Sequence, residues 1–253
     1  MNMNDSASTP YYRIIDEYFE KSGITALNIR VIVTNDLASA FYTVRPDQRG
    51  KDTANNNEYN GFFVSPATLD GQFAILLKKD YVNKSKERCD YNWVGTVVHE
   101  ATHADDYRKY RQIVSAQTYD ELFDRNVHRS FGFWTEYHAR IMGEQFVMEY
   151  RKENNSPYAE LDTIVEEFQK LVETYNDCNA GGERLLEYEA ALLGMLRVRE
   201  MYFPETFSDE YLSDAESMRK LYCFLKDHET IEQAEPHFHQ LYDLLKGIHP
   251  YMP

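Results

Sequence analysis

Apolar and polar positions alternate in two different ways along the chain, and the change comes near residue 90. After a helix-like stretch at Tyr11 to Lys21, short runs rich in β-branched and aromatic residues follow: Leu27 to Thr34, Ala40 to Val44, Gly61 to Ser65 and Gln72 to Lys78. Such runs, bounded by polar and turn-forming residues, predict strands. Pro46 to Asn60, with Asn55-Asn56-Asn57 inside it, predicts a mobile loop, and Pro66 to Gly71 is a connection of hairpin length. From about Tyr91 the apolar residues recur at three- and four-residue intervals through Ile141, Leu161, Leu171, Leu185, Leu192, Leu221 and Leu241, which predicts helices. Pro157, Gly181-Gly182, Pro204 and Pro236 break them up.

This pattern predicts an α+β fold: a small N-terminal sheet packed on one central helix, followed by a mostly helical C-terminal half. We expect residues 1–152 to form one domain, a catalytic one, and residues 153–253 a helical subdomain. The charge distribution marks the same change. Residues 1–112 hold 14 basic and 15 acidic side chains and residues 113–253 hold 13 and 27, so the formal charge of -15 falls almost wholly on the later part. A chain this acidic repels phosphate backbones and anionic lipids, so neither nucleic acid nor a membrane is expected as a partner. The polar stretch Met1 to Pro10 has no signal-peptide core and no uncharged run reaches bilayer length, which predicts a cytoplasmic protein. Cys89, Cys178 and Cys223 show no paired spacing and are expected to be buried thiols.

The segment that changes the picture is Thr96-Val97-Val98-His99-Glu100-Ala101-Thr102-His103, which contains His-Glu-x-x-His. Positions four apart on a helix differ by about 400°, so His99 and His103 share a face and both imidazoles can reach one ion. Glu100, turned by about 100° from His99, can miss the ion and still reach a water beside it. Metal-assisted hydrolysis needs this division: zinc brings the pKa of its water to about 7, and a nearby carboxylate removes the proton. Val94, Val97, Ala101 and Ala104 form a stripe roughly opposite the histidines and are expected to pack on the strands.

A catalytic zinc site takes a third protein ligand. Glu136, which lies 33 residues after His103, leaves room for a loop and a returning helix. Asp105, Asp106, His128, His138, Glu144, Glu187 and Glu189 are the alternatives. Tyr107, Tyr110 and Tyr137 lie near enough in sequence to offer a hydroxyl to an oxyanion. His237-Phe238-His239 has a ligand-like spacing but falls in a helical region, where we read it as incidental.

On His99-Glu100-x-x-His103, the upstream strands and Glu136 with Ala139 on a second helix, the sequence resembles the zincin metallopeptidases. Within them it is similar to the gluzincin type, and more loosely to the ImmA/IrrE-like peptidases. The resemblance covers about residues 25–152. It implies a zinc-dependent hydrolase of peptide bonds with a protein or peptide substrate lying along the strand Gly61 to Ser65. It further implies Zn2+ held by His99, His103 and Glu136, with Glu100 as general base. Where many gluzincins carry an aspartate four residues after the glutamate, this chain has Arg140, so Asp106 is the natural residue to orient a histidine instead. The competing expectation is a non-catalytic zinc protein or a helical interaction module carrying the motif for structural reasons or by chance.

Overall fold

The computed structural model describes residues 9–49, 57–123, 127–176, 183–212 and 216–249. The fold is α+β, with a three-stranded sheet among the N-terminal elements and helices after it. Contacts group the chain into two units, residues 1–122 with 145–159 and residues 123–144 with 160–253. Among the described residues no helix is long and apolar enough to cross a membrane.

The first unit contains α1 (Thr9–Ser22), β1 (Ile29–Thr34), α2 (Leu37–Val44), β2 (Gly61–Val64), β3 (Phe73–Lys78), α3 (Lys79–Arg88), α4 (Asn92–Ile113) and the last turns of α5 (His128–Glu153). The strand order is β1-β3-β2. β3 pairs parallel with β1, Ile29 facing Phe73, and antiparallel with β2, Gly61 facing Leu77. Every residue from Phe73 to Leu77 is buried, so the central strand reads as an unbroken apolar run and not as an alternation. Among the described residues β2 is an edge of the sheet.

Three of the four expected strands are present. Ala40 to Val44 is not a strand but the end of α2. Leu37, Ala40, Phe41 and Val44 recur at helical spacing and pack with Val64, Ala74 and Leu76, and this period overrides the β-prone composition. The helix start is capped twice. Asp36 accepts from the Ser39 amide at 3.0 Å, and Asn57 accepts from the Leu37 and Ala38 amides at 2.8 and 3.2 Å. Asn57 thus ends the asparagine run in an ordered role, whereas Asn55 and Asn56 lie outside the described residues, as do Gly181-Gly182 and Cys178. Pro46–Gln48 is a single helical turn. Helix α3 is absent from the expectations because only Val82 and Ser85 on it are buried, too thin a stripe to register.

The entry to α4 is fixed from several sides. Cys89 and Tyr91 take left-handed backbone angles, φ 56° and 55°, which turn the chain out of α3. Asp90 then accepts from the Asn92 amide at 2.9 Å and Ser85 Oγ from the Trp93 amide at 3.2 Å, which supplies the cap that Tyr91 lacks. Arg151 on α5, almost fully buried, donates to the Asp90 carbonyl at 2.7 Å and to Asn92 Oδ1 at 2.8 Å. Cys89 and Cys223 are exposed, against expectation: the first sits in this turn and the second on the outer side of α8.

The second unit contains the first turns of α5 with α6 (Leu161–Asn176), α7 (Glu183–Tyr202), α8 (Glu216–Asp227), α9 (Ile231–Ala234) and α10 (Phe238–Ile248). Its core holds Trp134, whose indole donates to the His228 carbonyl at 2.8 Å. Ser130 Oγ donates to the Phe238 carbonyl at 2.8 Å, and the buried Arg199 pairs with Glu144 at 3.1 Å.

Candidate metal centre

Helix α4 carries His99, Glu100 and His103 in its middle, and it is buried on more than one side there. Val94, Val97, Ala101 and Ala104 are fully buried, as expected for the stripe opposite the histidines. The contact with β2, however, comes from the histidine side. A side chain at Gly61 would meet Thr96 Cγ2 at 2.9 Å, and the ring of Phe63 lies 6.3 Å from that of His103 and 5.1 Å from that of Tyr107. On a third side, Thr102 Oγ1 donates to the Val98 carbonyl at 2.8 Å and so must accept from the Tyr18 hydroxyl, also at 2.8 Å.

The two imidazoles converge. Their Nε2 atoms are 3.0 Å apart and their rings are nearly perpendicular. One ligating atom from each of His99, Glu100 and His103 lies within 4.8 Å of the others. His99 is 9% and Glu100 6% exposed, and His103 is partly buried. Two nitrogens bound to one tetrahedral zinc at about 2.0–2.1 Å stand roughly 3.3 Å apart, so the donor set and its spacing fit a small cation. The same 3.0 Å fits an N–H···N hydrogen bond between neutral rings.

No family model, curated protein or solved structure matches this chain. The site therefore has to be read from its own residues.

Glu136 stands on α5 within the second unit, where Arg140 lies 3.7 Å from its carboxylate. Arg140, at the position where many gluzincins carry an aspartate, thus forms an ion pair with the expected ligand itself, and it also reaches Glu144 at 4.0 Å. Several of the alternative ligands are engaged elsewhere. Asp105 pairs with Arg108 at 2.5 Å and Lys109 at 2.9 Å, Glu144 with Arg199, and Glu189 with Tyr175 at 2.9 Å and His249 at 2.7 Å. His138 stacks on Trp134, and Phe123 packs on His128. Asp106 is 1% exposed. Burial above all, with the charges of Asp106 and Asp105 adding to it, pushes the Tyr18 hydroxyl well above the usual tyrosine range.

Of the three tyrosines singled out, Tyr110 and Tyr137 are fully buried and Tyr107 is partly exposed on the same helical face as the histidines. His237 lies beside His228, with ring centroids 4.7 Å apart, while Phe238 is buried and His239 exposed. The residue that sequence reasoning missed is Phe63. Alternation along β2 puts Gly61 and Phe63 on one face, but nothing in the sequence says that His103 lies across from it.

Proposed function

We propose that this chain is a zinc-dependent metallopeptidase, in which His99 and His103 are two of the ligands that hold Zn2+. The observation that carries this reading is the convergence of two imidazole nitrogens and the Glu100 carboxylate in the interior turns of one helix. A zinc ion there supplies a water acidic enough to ionise near pH 7 and polarises a carbonyl. Glu100 would accept a proton on a carboxylate oxygen as water attacks the carbonyl and pass it to the amine as the carbon–nitrogen bond breaks. His99 and His103 would offer their Nε2 atoms to the ion. Phe63 brings the edge strand β2 up to His103, so a protein or peptide substrate paired with β2 passes beside the site. The free thiols at Cys89 and Cys223 suit a reducing compartment and support a cytoplasmic location.

Metal content measured by plasma mass spectrometry tests the reading. The wild type should carry close to one zinc per chain and His99→Ala almost none. Glu100→Gln should keep the zinc and lose peptide hydrolysis. The 3.0 Å contact between the rings also supports a second reading, a metal-free helical interaction protein with a His–His hydrogen bond. That reading requires purified protein without transition metal and a His99→Ala variant that folds unchanged, and this pair of results would overturn the first.

A further inference from the structure

Phe63 sits where the edge strand meets the histidine helix. Its ring lies 5.6 Å from Phe73, 5.1 Å from Tyr107 and 6.3 Å from His103. Phe73 in turn rests on Tyr119 at 5.2 Å, and these two rings are buried. Phe63 and Tyr107 are partly exposed. The arrangement is a buried aromatic floor behind two rings that reach the surface directly beside one of the two histidines. Phe62, pointing to the opposite face of the strand, packs near Phe41 at 6.2 Å and takes no part in it.

Resting on the peptidase reading, we propose that Phe63 and Tyr107 are the specificity wall of the site. The substrate class is a peptide with an aromatic or large aliphatic side chain next to the bond that is cut. The planes of the two rings are inclined by 46°, so their edges and faces can both be covered by a third apolar group. A lysine or glutamate side chain placed there gives up hydration and finds no opposite charge on the two rings. An alanine is too short to cover it. The strand that carries Phe63 is, among the described residues, an edge of the sheet, so backbone pairing and the Phe63 ring would meet the same stretch of peptide.

Acetyl-Ala-Ala-X-Ala-Ala-amide peptides with a fluorescent label, where X is Phe, Leu, Ala or Lys, test this by polarisation on zinc-loaded Glu100→Gln protein. Cleavage by the wild type is followed in parallel. The Phe and Leu peptides should bind about three- to tenfold more tightly than the Ala peptide, the range expected of one aromatic contact. Phe63→Ala should bring that ratio close to one while zinc content stays unchanged. Phe63→Leu, which keeps the strand packed, should retain the preference for Leu and lose part of that for Phe. A role of Phe63 in merely supporting His103 would weaken all four peptides equally. Equal binding of the Phe and Ala peptides, or a preference that survives Phe63→Ala and Tyr107→Ala, overturns the proposal. Zinc-loaded protein that cleaves all four alike sinks the wall and leaves the peptidase reading standing; protein that takes no zinc sinks both.

Discussion

Replacing Gly61 by alanine probes the contact that sets α4 against the sheet. The added methyl would stand 2.9 Å from Leu77 Cδ2, 2.9 Å from Thr96 Cγ2 and 3.2 Å from the Leu76 carbonyl oxygen. None of the three can yield cheaply. Leu77 is fully buried, and Thr96 is β-branched with its hydroxyl engaged by the Asn92 carbonyl at 3.2 Å and the Tyr81 hydroxyl at 2.9 Å. Leu76 O belongs to the central strand. Overpacking of this kind costs about 1–3 kcal/mol, and the lower entropy of alanine in the unfolded chain returns roughly 0.5–1 kcal/mol. The net loss should be about 0–2.5 kcal/mol, or up to roughly 10 °C in Tm for a chain of this size. Scanning calorimetry of the variant measures it, with zinc content as a second readout, since moving β2 away from α4 also moves Phe63 from His103. Gly132→Ala is the control: nothing lies within 4 Å of the methyl it would add, and it sits inside α5, so it should raise stability by up to about 1 kcal/mol. A Gly61→Ala protein about 0.5–1 kcal/mol more stable than the wild type, the entropy gain alone, would refute the close approach of helix and strand.

Two further perturbations test the frame around the site. Arg151→Met strips the Asp90 carbonyl and Asn92 Oδ1 of a buried donor and should cost about 2–3 kcal/mol, read as a lower urea midpoint at unchanged slope. Arg151→Lys should recover only part of it, because an ammonium cannot serve both acceptors in the guanidinium's fork geometry. The Arg45 hydrogen bonds hold the Asp47 carboxyl well below the usual carboxylate range. Its contribution is therefore complete above the ordinary value near ~3.9 and is lost as pH falls through the depressed folded value. Thermal melts between pH 2 and 6 should show a shallower acid limb for Asp47→Asn than for the wild type, and parallel limbs would remove this pair from the acid response.

What could be read beforehand was whatever left a trace at one period or in one motif. β3 was legible because a strand buried on both faces needs a run such as Phe73 to Leu77, and β2 because Gly61 to Val64 is short, β-prone and bounded by turns. α2 was misread because composition was weighed above spacing, although Leu37, Ala40, Phe41 and Val44 already stood at helical intervals. α3 left no such trace, since only Val82 and Ser85 on it are buried. The convergence of His99 with His103 follows from a one-turn separation and needs no tertiary information. The neighbours of that pair do. Phe63 and Tyr18 come from elements tens of residues away and Tyr81 from the preceding helix, and only the packing of β2, α1 and α3 against α4 brings them in. Arg140 needs none of this: its pairing with Glu136 is a plain four-residue helix contact, available from spacing alone.

The two threonines three residues either side of His99 explain why the imidazole pair is well placed to receive a ligand. Thr96 and Thr102 point about 60° to the left and right of His99 around the helix. Thr96 is held by Tyr81 and by the absence of a side chain at Gly61; Thr102 is held by Tyr18 and by its own bond to the Val98 carbonyl. Clamped on both flanks, α4 cannot roll to carry one ring inward and the other out, and its entry is pinned by Arg151. The helix that carries both nitrogens, 3.0 Å apart, is therefore fixed by packing on three sides. A pair fixed in this way needs little rearrangement to share one small cationic guest, and the entropy that a loose chelate would lose on binding has already been lost in folding. A bare proton and a divalent metal both meet that description; on the metal reading the Glu100 carboxylate, within the same 4.8 Å, would be the neighbouring base.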